Sequence, residues 1–324
     1  MYNFFWQSYL QIEKEVLDLT SYILINDSQF DVYSIKIADL IIRVNVEIES
    51  IAKEIYKNNN GPKPKNGQHL IYDSECLKFL DTIWTLSKKQ VIIINPWFQL
   101  EKEENKIFPP LKNAYKTGEP KWKEAYQSLK HDRANSLQKG SLRFLIKSMG
   151  ALFLLNVYNQ GVSQKFENIT KIKEFDTSLG SSIFSVKLFQ ESRMDFRDLE
   201  NPNLNIMESV LISFPERERY VALESRITNL IKQFDEKRWE YTIKNLDLYK
   251  LNVAIKDVEN KQEGIKLFFK QKMSESLSEL MPSHGREIAS IILSIPYIVE
   301  LNKNQFIKVS SVKNEIDNKN HSCN

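Results

Sequence analysis

Apolar residues recur at helical spacing over most of the first half of the chain. Phe5, Tyr9, Ile12, Val16 and Leu19 keep one face and predict a helix over 3–25, ended by the turn signal Asn26-Asp27-Ser28. The clearest amphipathic stretch is 34–56, where Ala38, Ile41, Ile42, Ile48, Ala52 and Ile55 fall on one side. Lys57-Asn58-Asn59-Asn60-Gly61-Pro62 breaks it, and Lys63-Pro64-Lys65-Asn66-Gly67 lengthens the loop. A third helix is expected at about 73–89, with Cys76, Phe79, Leu80, Ile83 and Trp84 turned inward.

The pattern then changes. Val91-Ile92-Ile93-Ile94-Asn95-Pro96 is a short β-branched run stopped by proline, which reads as extended chain or a strand. Residues 99–120 read as loop, with Pro109-Pro110 and Gly118-Glu119-Pro120. Pro120 suits the first turn of a helix. That helix carries Trp122, Tyr126 and Lys130-His131-Asp132-Arg133, with Gly140 placed to bend or divide it. LRFLIKSMGALFLLNVY, within 141–158, is apolar nearly all round and predicts a buried central helix. Farther on, Ser182–Leu188 alternates like a strand, and Pro215 opens a helical region expected to reach about 258, with Tyr220, Leu223, Ile227, Leu230, Phe234 and Tyr241 in phase. Shorter helices are expected at 262–280 and 284–294, and a small hairpin at 297–301 and 305–309.

The fold class is therefore mainly α: an N-terminal helical bundle and a second, largely helical part with a few short strands. The divisions expected are 1–160, an irregular connector at 161–205, a mainly helical region at 206–312, and a polar, disordered tail at 313–324. The 324 residues, 42% hydrophobic and 27% charged, have an ordinary globular composition that fills one large core or two modest ones. No apolar run approaches the roughly 20 residues of a membrane span. MYNFFWQSYL lacks a basic start and makes a poor signal peptide, and two cysteines, Cys76 and Cys323, make no disulfide framework. A reducing, cytoplasmic setting without a membrane partner is the expectation.

Charge is uneven. Residues 1–56 carry four basic and nine acidic side chains, whereas 57–147 carry 17 basic and nine acidic. The remainder is close to neutral, and the whole chain is +3. The basic segment suits nucleic acid or an acidic protein as partner, and equally suits neutralisation by the acidic N-terminal segment.

No Walker A loop, GxGxxG, HExxH, GxSxG or EF-hand loop is present, so no cofactor is indicated. Of His69, His131, His284 and His321, none has a His or Cys at ligand spacing except His321 with Cys323 in the tail, so no metal is expected. Ser283-His284-Gly285-Arg286 before a helix offers backbone N–H groups to an anion, and reads first as a simple N-cap by Ser283. The informative stretch is PKWKEAYQSLKHDR, 120–133. On a continuous helix, Trp122, Tyr126, Leu129 and Arg133 share one face. His131 takes the opposite one, in a second stripe running on to Leu142, Leu145, Ile146, Met149 and Phe153. An imidazole moves protons near neutral pH, and a neighbouring cation holds a phosphate. The alternative is structural: His131 covers an apolar core, and Arg133 pairs with Glu49 or another acid.

A Trp-x3-Tyr-x3-Lys-His-x-Arg helix, preceded by Asn-Pro-aromatic and followed by a strongly apolar helix, resembles bacterial helical proteins of the HEPN superfamily over roughly residues 30–160. The resemblance implies a four-to-five-helix domain that dimerises, and in many members a metal-independent ribonuclease of phage defence or toxin–antitoxin systems. The family signature is Arg, four to six residues, then His. Here Tyr126, Ala125 and Glu124 stand where that Arg would be. What carries over is His131 as acid/base, with Lys130 or Arg133 as the phosphate partner and Glu49 as polar partner. The expected function is RNA binding or cleavage by a homodimer. The alternative is a non-catalytic interaction or scaffold protein in which the Lys-His-Asp-Arg helix is structural.

Overall fold

The computed structural model describes residues 4–64, 69–190, 206–244 and 293–304, with single positions between 266 and 291. It is mainly α, with short strands. The order begins α1 (Phe4–Asp18), β1 (Ile25–Asn26), α2 (Ile35–Asn58), a π-type turn (Tyr72–Leu77), α3 (Lys78–Trp84), β2 (Val91–Ile93) and β3 (Phe98–Gln99). It continues with α4 (Glu103–Lys106), β4 (Ile107–Phe108), α5 (Lys121–His131), α6 (Arg133–Ser136) and α7 (Leu142–Gln160). β5 (Ser163–Phe166), β6 (Phe184–Val186), β7 (Leu188–Gln190), β8 (Leu211–Pro215), α8 (Arg217–Lys244) and β9 (Tyr297–Leu301) follow among the described residues.

α7 is the axis of the helical part. Fourteen of its nineteen residues are buried, so it has no solvent face. α2 lies along it, and α1 and α5 pack on both. α2 starts where Ser34 Oγ accepts the Ile37 N–H at 3.2 Å, and stops at Asn59 before Gly61-Pro62. The first N–H groups of α7 are taken by chain: Leu142 N–H donates to the Val32 carbonyl and Arg143 N–H to that of Phe30. Those two bonds join the entrance of α7 to the segment that leads into α2. Aromatic rings fill the α1 side of α7. Trp6 stacks on Tyr9, and Phe153 packs against Tyr9 and stacks on Phe184.

Four expectations for this region change. The first helix, expected over 3–25, ends at Asp18, and Ile25 already belongs to β1. The third helix stops at Trp84, because Thr85 takes a left-handed conformation and closes the turn on Asp81. The helix expected to continue from 120 into the central one is broken at Asp132, whose carboxylate accepts the Asn135 N–H and caps α6. The loop at 99–120 also holds the single turn α4 and the strand β4.

Among the described residues the strands form three small sheets: a parallel β1–β3 pair, β4-β2-β6, and β5-β9-β8-β7. Ser182–Leu188, read as one strand, supplies β6 and the start of β7, which join different sheets. The chain divides into two compact units. One is built from Met1–Gln164, Phe175–Phe214 and the stretch from Val299; the other from Lys165–Glu174 and Pro215–Ile298. In the second, α8 buries Phe234 and Thr242 and exposes Ile231, Trp239 and Ile243. The expected extension of α8 to 258, the strand at 305–309, Ser283-His284-Gly285 and the tail lie outside the described residues. No helix among the described residues is long and apolar enough to cross a membrane.

Two buried polar groups mark the first unit. The Glu13 carboxylate accepts the Tyr9 hydroxyl at 2.6 Å, Ser181 Oγ at 2.5 Å, and the N–H groups of Ser182 and Ile183 at 3.1 and 3.2 Å. One side chain of α1 thus fixes the turn that launches β6. Replacing it strands those donors in the interior, at about 1–3 kcal/mol for each group left unpaired. Glu13→Ala is expected to lose about 3 kcal/mol or more in urea denaturation; a loss below about 1 kcal/mol would show that the turn holds without it.

Lys89, just before β2, is the opposite case. It is fully buried, and its Nζ has no hydrogen-bond partner among the described residues. Burial pushes its ammonium group down to about 7. The unfolded chain keeps this proton up to about 10.4. Stability therefore rises with pH between those two values, because there the unfolded state binds more protons. Lys89→Met is expected to stabilise the fold by a few kcal/mol at pH 7, since each tenfold loss of proton affinity on folding costs about 1.4 kcal/mol. The gain shrinks toward pH 10. An equal gain at pH 7 and pH 10 in denaturation titrations would refute this account.

Candidate functional site

The Lys-His-Asp-Arg sequence forms the corner between α5 and α6. Trp122, Lys123, Ala125, Tyr126 and Leu129 are the buried face of α5. Trp122 Nε1 donates to the Pro110 carbonyl at 3.0 Å. Lys123 is almost wholly buried and spends its ammonium group on Asp73 at 3.0 Å and on the Ala114 and Lys116 carbonyls, both at 2.8 Å. The first turns of α5 are thereby locked to the 110–116 loop and to the π-type turn.

The outer turns of α5 face α2. Tyr126 donates its hydroxyl to Glu49 Oε1 at 3.0 Å. Burial, then the Glu49 charge, raises the Tyr126 phenol well above its usual range, so it stays a donor. Lys130 is exposed and holds its Nζ 5.4 Å from the centre of the Tyr126 ring. Past the break, Arg133 meets Asp39 of α2 at 2.6 Å, both side chains 46% exposed. The chain then returns through the 3-10 turn Leu137–Lys139 to Gly140. A Cβ on Gly140 would lie 2.8 Å from that of Ala38, so only glycine lets the return sit this close to α2.

The four residues singled out from the sequence therefore separate. Glu49 and Lys130 both attach to Tyr126. Arg133 lies outside α5, paired with Asp39, and so leaves the Trp122–Tyr126–Leu129 face. His131 is the exposed last residue of α5. At about 100° per residue it stands about 100° round the helix from Lys130 and about 140° from Tyr126. The stripe expected to run from His131 to Leu142 does not form, because the helix breaks at Asp132.

Sequence reasoning missed Lys139. Its Nζ donates to Ser128 Oγ at 2.9 Å and lies 3.7 Å from Glu124. Asp132 and Gly140, read as two breakers around a short return, were the available signal. Glu124 also holds Lys121 at 3.1 Å, and that hydrogen bond is the main reason its carboxyl lies below the ordinary range.

The acidic N-terminal segment partly neutralises the basic one. Arg143 pairs with Asp31 at 2.7 Å and Arg133 with Asp39. Asp27, drawn down to about 2 by Asn105 and by the N–H groups of Lys102 and Glu101, holds the α4 loop. Lys112, Lys116 and Lys130 are exposed and have no carboxylate partner among the described residues. No group of three or more His, Cys, Asp or Glu side chains is placed to hold a metal ion among the described residues.

No protein-family model matches the sequence, and neither a curated protein nor a solved structure matches the chain. Any functional reading stands on these residues and their geometry.

Because both partners are nearly half exposed, the Arg133–Asp39 pair contributes little to stability. A double-mutant cycle with Arg133→Ala and Asp39→Ala is expected to give a coupling of about 0.5 kcal/mol, reduced by salt. A coupling above about 2 kcal/mol would mean that the corner depends on this pair.

Proposed function

We propose that this protein is a HEPN-like, cytoplasmic RNA-binding protein acting as a metal-independent endoribonuclease, working as a homodimer in phage defence or a toxin–antitoxin system. The observation that carries the proposal is His131. It is the exposed last residue of α5, on the basic segment, with no hydrogen-bond partner among the described residues. An imidazole is suited to take the proton from a ribose 2′-hydroxyl. The 2′-oxygen then attacks the adjacent phosphorus, and the bond to the 5′-oxygen breaks. The same imidazolium returns its proton to the departing 5′-oxygen, leaving a 2′,3′-cyclic phosphate and a free 5′-hydroxyl. Lys130 is one cation available to the phosphate. Arg133 would reach it only by releasing Asp39. Glu49, bonded to Tyr126, acts by positioning that ring beneath Lys130.

A second reading has its own support. Arg133 and Glu49 are both engaged with neighbouring helices, as they would be in a protein whose corner merely joins α5 to α2. The two readings part on one variant. His131→Ala is expected to abolish RNA cleavage, by at least about 100-fold for loss of an acid/base group. Its thermal stability should stay within about 0.5 kcal/mol of wild type, as for an exposed side chain. Wild-type protein that neither cleaves nor binds RNA, together with a large stability loss in His131→Ala, would leave the structural reading in place.

A further inference from the structure

α5 presents a second row of polar residues away from its buried face. Glu124, Ser128 and His131 stand at i, i+4 and i+7, within about 60° of one another round the helix. Lys139 is brought to this row by the return after α6. Its ammonium group touches Ser128 Oγ at 2.9 Å, and Ser128 is one turn from His131. The seat of Gly140 on Ala38 fixes where that return ends. Lys130 and Arg133, the adjacent cations in sequence, are aimed elsewhere: one over the Tyr126 ring, the other at Asp39.

Lys121 is held by two carboxylates, Glu124 at 3.1 Å and Glu119 at 3.8 Å, so Lys139, 3.7 Å from Glu124, is the cation left to this row. The Asp132 carboxylate is turned onto Asn135, accepting both its N–H and its Nδ2. Lys139 keeps its hydrogen bond for the Ser128 hydroxyl, a neutral acceptor. A phosphate oxygen is a stronger acceptor for the same ammonium group.

We infer that Lys139, with Ser128 and His131, forms a phosphate-binding face on α5 that takes one phosphodiester of single-stranded RNA. This rests on the RNA reading above and changes its cation: Lys139 stands on the His131 side of the helix, whereas Lys130 stands on the Tyr126 side. Ser128, whose hydroxyl donates to the Glu124 carbonyl at 3.0 Å and accepts from Lys139, holds the ammonium group in place, and Glu124 positions Lys139 until the phosphate replaces it.

The test uses the full chain and a short fluorescein-labelled single-stranded RNA, titrated over a range of salt. Lys139→Met is expected to weaken binding about tenfold. It should also flatten the plot of log affinity against log salt by about 0.7, the value for one lost phosphate contact on a single strand. Lys139→Arg should keep the wild-type slope. Lys112→Met, which removes an exposed lysine of the same basic segment, should match wild type in affinity. The slope reports charge neutralised on the RNA, so a modest loss of stability in Lys139→Met leaves it readable below the melting temperature. Salt-dependent binding by wild type with an unchanged slope in Lys139→Met would overturn the assignment of Lys139 and leave the RNA reading standing. Wild type with no salt-dependent affinity would overturn the RNA reading itself.

Discussion

α7 has no polar side, and that single constraint organises the first unit. A helix apolar all round is stable in water only when neighbours cover every face. α2 covers one flank, α1 and its aromatic rings another, and α5 part of a third. The small β4-β2-β6 sheet closes against Gly150, where a Cβ would crowd Phe108 and Val91. The position of α5 follows from this packing. Trp122, Ala125, Tyr126 and Leu129 are needed for cover, so the residues left facing water are those available for chemistry.

The strongest periodicities proved the easiest to read. α2 is bounded within about two residues by its sequence, because an amphipathic run ended by Asn-Asn-Asn-Gly-Pro has one physical solution. α7 was legible for a different reason: apolar residues fall on every side of it, with Arg143 and Lys147 its only charged residues. The break at Asp132 was not legible from periodicity, since Lys130–Arg133 and the apolar residues beyond keep helical phase. Capping decided it, through an aspartate that stops one helix by starting the next. That break moves Arg133 off α5 and brings Lys139 back onto it, so the composition of the site depends on a local event. The Glu13 cluster was also hidden. Nothing adjacent in sequence links Glu13 to Ser181, and only the packing of α1 on α7 brings them together.

The charge pattern resolved into two parts. Part of the basic segment is spent on internal structure: Lys123 on Asp73 and two carbonyls, Arg143 on Asp31, Arg133 on Asp39. The two arginine pairs join the basic stretch to the acidic one before it, whereas Lys123 and Asp73 pair within the basic stretch. Lys112, Lys116, Lys130 and His131 face solvent from the α5 corner and the loop before it. Net charge by segment therefore overstated the free positive surface, and ion-pair geometry shows where the surplus lies.

Every side chain on the His131 face lies between Lys121 and Lys139, on one unbroken piece of chain. Its spacing comes from α5, its turn from Asp132, and its placement from Gly140 resting on Ala38. The face is thus a cassette whose internal geometry is local, anchored to its surroundings by Trp122, Lys123, Tyr126 and one glycine contact. Drift in the surrounding core alters how firmly the cassette is held and leaves the order of its groups intact. A larger side chain at position 140 would instead displace the whole return at once, and Lys139 with it.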